Sequence, residues 1–150
     1  MITLHPTPQQ IERAKNLYDF DALKGSITKG KSNIYGALGE ILCLDYFPTA
    51  RKEESYDYDL IIKNYRVDVK TKRTTVPPQK HYRCSVTHLK QETDYYFFLR
   101  ITEDLSLAYL LGYLSKQEMI DNSTDIPDAT HIREGHHVEI QQLHPFSPLL

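Results

Sequence analysis

The chain has 150 residues, 18 Lys/Arg against 20 Asp/Glu and 40% apolar residues, the size and balance of one globular domain with room for a sizeable core. No apolar run approaches the ~20 residues a membrane helix needs, and "MITLHPTPQQ" has neither the basic nor the apolar stretch of a secretory leader. Two distant cysteines, Cys43 and Cys84, with no C-x-x-C pair argue against a thiolate zinc site and suit a reducing, cytoplasmic setting.

In chain order, Thr7-Pro8-Gln9-Gln10 reads as a helix start, with threonine as cap, proline in the first turn and Gln10 closing a capping box. The helix is expected over about 8–23, with Ile11, Ala14, Leu17, Tyr18 and Leu23 on one face and Gly25 at its end. "KGSITKGKSN" predicts a loop carrying Lys24, Lys29 and Lys31, and a second helix is expected from Ser32 or Asn33 to Phe47, stopped by Pro48. "YDYDLIIKNYRVDVKTK" (56–72) predicts a β-hairpin, "TTVPPQKHYR" a loop and residues 86–92 a short helix. "DYYFFLRIT" (94–102) reads as a strand covered on both faces, and "LSLAYLLGYL" (105–114) as its antiparallel neighbour. Ser115 and Glu118 form a second capping box opening a short helix, and "HVEIQQL" (137–143) alternates like a final edge strand. The order points to a mixed α/β domain without repeats.

Charge is unevenly spread. From Lys63 to Lys90 there are eight Lys/Arg and one acid, whereas after residue 100 there are two Lys/Arg and eight acids. Such asymmetry prepares one face for an anion. Within the hairpin, alternation puts Asp59, Asp68 and Lys70 on one face and Leu60, Ile62, Val67 and Val69 on the other. A two-residue turn at Asn64-Tyr65 sets 59 opposite 70, and one at Lys63-Asn64 sets 59 opposite 68; both keep the charged residues together. The ordinary reading of such a face is a solvated sheet surface. The sharper one is a metal site, because two adjoining carboxylates repel unless a cation lies between them, and a hard divalent ion needs few protein oxygens. Lys70 beside them could orient a water or steady developing phosphoryl charge. Glu40, which follows Gly36 and Gly39 on the apolar second helix, is the third carboxylate, since two glycines near one acid suggest close approach to a neighbouring segment.

Glycine-flanked Glu40, then Asp59, then Asp68-Val69-Lys70 resembles the pattern of the PD-(D/E)XK nuclease superfamily, with Tyr58 in place of the eponymous proline. The resemblance spans about 32–102. It implies a restriction-endonuclease-like core: a helix, three antiparallel strands, a helix and a further strand, in a mixed sheet of four to five strands flanked by helices. One domain over 1–150 is expected, with the 8–23 helix before the core and a strand-helix-strand extension over 105–143. The implied activity is hydrolysis of DNA phosphodiesters with Mg²⁺, or Mn²⁺ as substitute, leaving 5′-phosphates. Asp59, Asp68, Glu40 and the carbonyl of Val69 would hold metal, and Lys70 would position water. Lys72, Arg73, Lys80, Arg83, Lys29 and Lys31 are the expected phosphate contacts. The alternatives are an inactive nucleic-acid-binding or assembly module on the same fold, and a homodimeric Holliday-junction resolvase; neither cut position nor sequence preference is legible. "QETDY" (91–95) has the spacing of a Q-x-x-x-Y motif of some exonuclease branches, but it straddles an expected helix–strand boundary and is set aside. His131, His136, His137 and His144 lack zinc spacing and read as surface loop, and Tyr82, Tyr95 and Tyr96 read as structural.

Overall fold

The computed structural model describes residues 1–23, 27–53, 55, 57–125 and 135–146; for 19–23, 27–33 and 125 it describes the backbone alone. The elements are β1 (Ile2–Leu4), α1 (Pro8–Leu23), α2 (Ile27–Tyr46), β2 (Arg51–Lys52), β3 (Leu60–Ile62), β4 (Tyr65–Thr74) and β5 (Arg83–Val86). They continue with β6 (Tyr95–Thr102), β7 (Ala108–Ser115), α3 (Lys116–Asn122), β8 (Thr124–Asp125), β9 (His136–Glu139) and a 3₁₀ turn over Ile140–Gln142. The mixed α/β class is as expected. The main sheet has six strands, in the order β1-β7-β6-β4-β3-β2, and a second sheet has three, β5-β9-β8. Only the β4–β6 pair is parallel among the described strands.

Two cores sandwich the main sheet. On one face α1 and α2 lay Ala14, Leu38, Leu42, Cys43 and Phe47 against Val67, Val69, Phe97, Leu99 and Ile101. On the other, the small sheet and α3 bring Cys84, Val86, Val138 and Met119 onto Tyr96, Phe98 and Leu111. Alternation along β6 therefore serves both cores, which is why its run is continuously apolar. In β7 a bulge between the Phe98–Gly112 and Leu99–Leu110 pairs shifts the alternation, so Tyr113 joins Leu110 on the α2 side. Gly112 sits there at φ +145° with the His144 carbonyl too near for a side chain.

Local chemistry accounts for several boundaries. Thr7 and Gln10 exchange both capping bonds, at 3.0 and 3.1 Å, and Ser115 with Glu118 does the same at 2.9 and 3.1 Å. The β3–β4 turn is Lys63-Asn64, both at positive φ (50° and 68°), as a two-residue hairpin requires. Four expectations are corrected. Helix α2 begins at Ile27, so Lys29 and Lys31 are helical rather than in a loop; in the sequence Ile27, Ile34 and Leu38 keep helical spacing, and the backbone is helical despite the ~1 kcal/mol cost of Gly30. Lys24 and Gly25 lie outside the described residues. No helix occupies 86–92, where Val86 ends a strand whose alternate residues Cys84 and Val86 are buried. The last strand, expected over 137–143 at an edge, ends at Glu139 and lies in the middle of the small sheet, paired with both β5 and β8. The main sheet also exceeds the expected four to five strands, and β7 lies inside it between β6 and β1. Among the described residues no helix is long and apolar enough to cross a membrane.

Helix α2 crosses β4 closely at Gly39, where an added Cβ would collide with Thr71 Oγ1. Gly39→Ala is expected to cost about 1–3 kcal/mol through overpacking, read as a lower urea midpoint at unchanged slope. Adding Thr71→Ala should recover part of that loss.

Candidate active site

The ladder between β3 and β4 runs from Ile62–Tyr65 to Leu60–Val67 and then ends. The next pair would be Asp59 with Asp68, but Asp59 leaves the ladder. Its N–H donates to the Val67 carbonyl at 2.9 Å, and its carboxylate accepts from the Val69 N–H at 2.8 Å. Asp59 thus turns along the edge of β4 instead of standing off its face, capping a backbone donor that no described strand reaches. Because N–H and C=O of one strand residue point to the same edge, the Val69 carbonyl also faces this side, while its side chain lies in the core.

Asp68, Lys70 and Lys72 alternate onto the face of β4 turned away from α2, with Asp68 beside Tyr96 and Lys70 beside Phe98. Asp68 is buried, and its carboxylate takes the Lys70 ammonium at 2.9 Å and the Gln91 amide at 3.2 Å. From α2, whose approach Gly39 permits, Glu40 comes around the end of β3 and pairs with Lys52 at 3.2 Å. Asp59 is the middle member, within hydrogen-bonding reach of Glu40 on one side and Asp68 on the other.

This crowding shows in proton affinity. Burial first, then the charge of Glu40, pushes Asp59 up to about 7. Burial, then the charge of Asp59, pushes Asp68 up to about 7 although Lys70 pulls the other way. The two titrate as a coupled pair. The Cys43 thiol, enclosed below them, is raised by burial, Asp59 and Glu40 in that order, which makes it an inert core group rather than a nucleophile. Asp59, interacting with Glu40 on one side and Asp68 on the other, gathers carboxylate oxygens of the kind a hard divalent cation takes, although no three of the described His, Cys, Asp and Glu residues already converge on one metal position. Glu40, Asp59 and Asp68 would hold it.

The expected phosphate contacts divide. Lys72 and Arg83 line one groove together with Arg100, His81 and Tyr82. Arg73 alternates to the opposite face of β4 and pairs with Glu103 at 3.5 Å. Lys80 is exposed beside the groove, its carbonyl taken by the Gln141 N–H. The side chains of Lys29 and Lys31 lie outside the described residues. Tyr96 is fully buried, so its ring is structural as expected. Among the histidines, His144 bonds Glu118 at 2.5 Å, His136 and His137 are in β9, and His131 lies outside the described residues.

Two residues emerge that sequence reasoning passed over. Gln91 was set aside, yet its amide orients Asp68; with no helix over 86–92, the boundary that discounted it does not exist. Its Q-x-x-x-Y spacing was the one available signal. Arg100, inside an apolar run, gave none: parallel pairing of β4 and β6 sets it beside Lys72. Compared with known proteins, the chain matches no family model and no curated protein.

Proposed function

We propose that the protein is a divalent-metal-dependent nuclease that hydrolyses phosphodiester bonds in DNA, an endonuclease of structure-selective or weak sequence preference built on a restriction-endonuclease-like core. The observation that carries this reading is the contact chain Glu40–Asp59–Asp68–Lys70 around the end of β3. The element order supports it: α2, the antiparallel run β2-β3-β4, then β6 beside β4, although the β4–β6 connection holds β5 and no helix among its described residues.

Glu40, Asp59 and Asp68 would hold the cation, which when bound would supply positive charge to offset the negative charge developing on the phosphoryl group. Lys70 orients a water for in-line attack, and Asp68 fixes the ammonium that does so. Gln91 holds the second lone pair of that carboxylate and keeps it from rotating. Lys72 and Arg83 meet the DNA backbone along the groove.

The test is cleavage of labelled single-stranded, duplex, nicked, flap and four-way-junction DNA with Mg²⁺, Mn²⁺ or EDTA. Cutting that requires the metal is expected, and the best substrate defines the class. Silence across the panel with both metals, or cutting that survives EDTA, overturns the proposal.

A further inference from the structure

Beyond Lys70, on the face of β4 away from α2, a cavity of about 150 Å³ opens between β4, β5 and β6. Its charged walls are Lys70, Lys72, Arg83 and Arg100, and no carboxylate among the described residues lines it. Arg100 is half-buried and held in place: its guanidinium donates to the Arg83 carbonyl at 2.9 Å and lies over the Tyr82 ring at 5.0 Å. Its Nε is nevertheless buried without a hydrogen-bond partner, and so is the hydroxyl of Ser85, another lining residue. Buried polar atoms without partners are rare because each forfeits its hydration. An anion with several acceptor oxygens would offset the clustered cations, and a small turn of either side chain toward the cavity would give its unpartnered atom an acceptor.

We propose that this cavity is a phosphate subsite, taking a terminal phosphate monoester of a nucleic-acid strand, with Lys70 as the wall it shares with the acidic cluster. Size favours a phosphate over a nucleotide, since the cavity has about half the ~300 Å³ of the smallest usual ligand pockets. Charge favours a monoester, because Arg83 and Arg100 bring two positive charges beside the Asp68-paired Lys70, and a terminal phosphate carries nearly two negative charges where a diester carries one. The groove lined by Lys72, His81, Tyr82, Arg83 and Arg100, about 400 Å³, shares three of these cations and gives the attached strand a route outward. That the monoester belongs to a nucleic-acid end rests on the nuclease reading; the cavity's preference for phosphate does not.

The intact chain in EDTA, which stops metal-dependent cutting, is titrated with labelled oligonucleotides bearing a 5′-phosphate, a 3′-phosphate or hydroxyls at both ends. Inorganic phosphate is the competitor, with chloride at matched ionic strength as control. One phosphorylated end should bind at least tenfold more tightly than the hydroxyl form, inorganic phosphate should compete, and Arg83→Ala or Arg100→Gln should cut the preference at least fivefold. Arg83 is exposed, so its variant keeps the test decisive should Arg100→Gln unfold. Equal affinity for all ends, or a preference unchanged in Arg83→Ala, overturns the subsite. With Mg²⁺ restored, cutting without end preference overturns the subsite and leaves the nuclease; end preference without any cutting does the reverse.

Discussion

On the proposed nuclease reading, Asp68→Asn is expected to lower metal-dependent cleavage by ~10³-fold or more, the scale on which loss of a preorganised charged group acts, while the metal-free protein at pH 8 is expected to become no less stable. The two effects run in opposite directions for one reason. Asp68 is a buried carboxylate facing Asp59, so its charge burdens the empty fold. Asparagine keeps the shape and can still accept from Gln91, removing the burden along with a proposed metal ligand. The ammonium of Lys70, partly exposed, can turn to solvent. A residue with a merely structural role would lose stability and activity together. Lys70→Met is the counterpart: cleavage falls ~10²–10⁴-fold, the range for a positioned proton-handling group, and metal-free stability falls too, because Asp68 loses its counter-ion. Single-turnover rates and urea unfolding of both variants check the pattern.

The metal-free protein should lose stability as pH rises from about 4 to 8, contrary to the usual behaviour of a carboxylate-rich fold. Asp59 and Asp68 are raised to about 7 in the folded chain, whereas unfolded they titrate near ~4. The folded state therefore holds more protons in that window, and stability present below the unfolded value is lost as pH climbs through the folded one. A single carboxylate shifted this far is worth on the order of 4 kcal/mol, and the coupled pair shares its effect. Asp45, Asp94 and Glu118, lowered by neighbouring hydrogen bonds and cations, act the other way and set the fall on the acid side. Urea unfolding in EDTA at pH 5, 6, 7 and 8 should show the decline, and Mg²⁺ should reduce it most at pH 8 by binding the ionised cluster. A flat EDTA series, or one that Mg²⁺ leaves unchanged, contradicts the coupled cluster.

What the sequence revealed divides along a physical line. Signals made by neighbouring residues were readable: the boxes at Thr7–Gln10 and Ser115–Glu118, the continuous apolar run of β6, the charged face of the hairpin. The turn was half readable. Asn64 tolerates positive φ, but Lys63 carries no such mark, so two registers stood open until the Ile62–Tyr65 pair decided. Contacts set by tertiary pairing left little trace. Gln91 meets Asp68 across 23 positions, and Arg100 meets Lys72 only because two strands run parallel. The brief strand β5 went unread because its pattern covers four residues, too few to separate a period of two from one of 3.6, and the helix expected over 86–92 overlaps it only at Val86.

Strand β4 has ten residues and its partner β3 has three, so beyond Val67 no described strand pairs with that side. The backbone of Thr71 and Arg73 faces the same way, which makes this stretch a template onto which another chain could add. Natural sheets discourage such templating with charge, above all lysine. Lys70, Lys72 and Arg73 therefore guard solubility whatever else they do. Variants that neutralise several of them at once should be checked for self-association by light scattering before any loss of activity is assigned to chemistry.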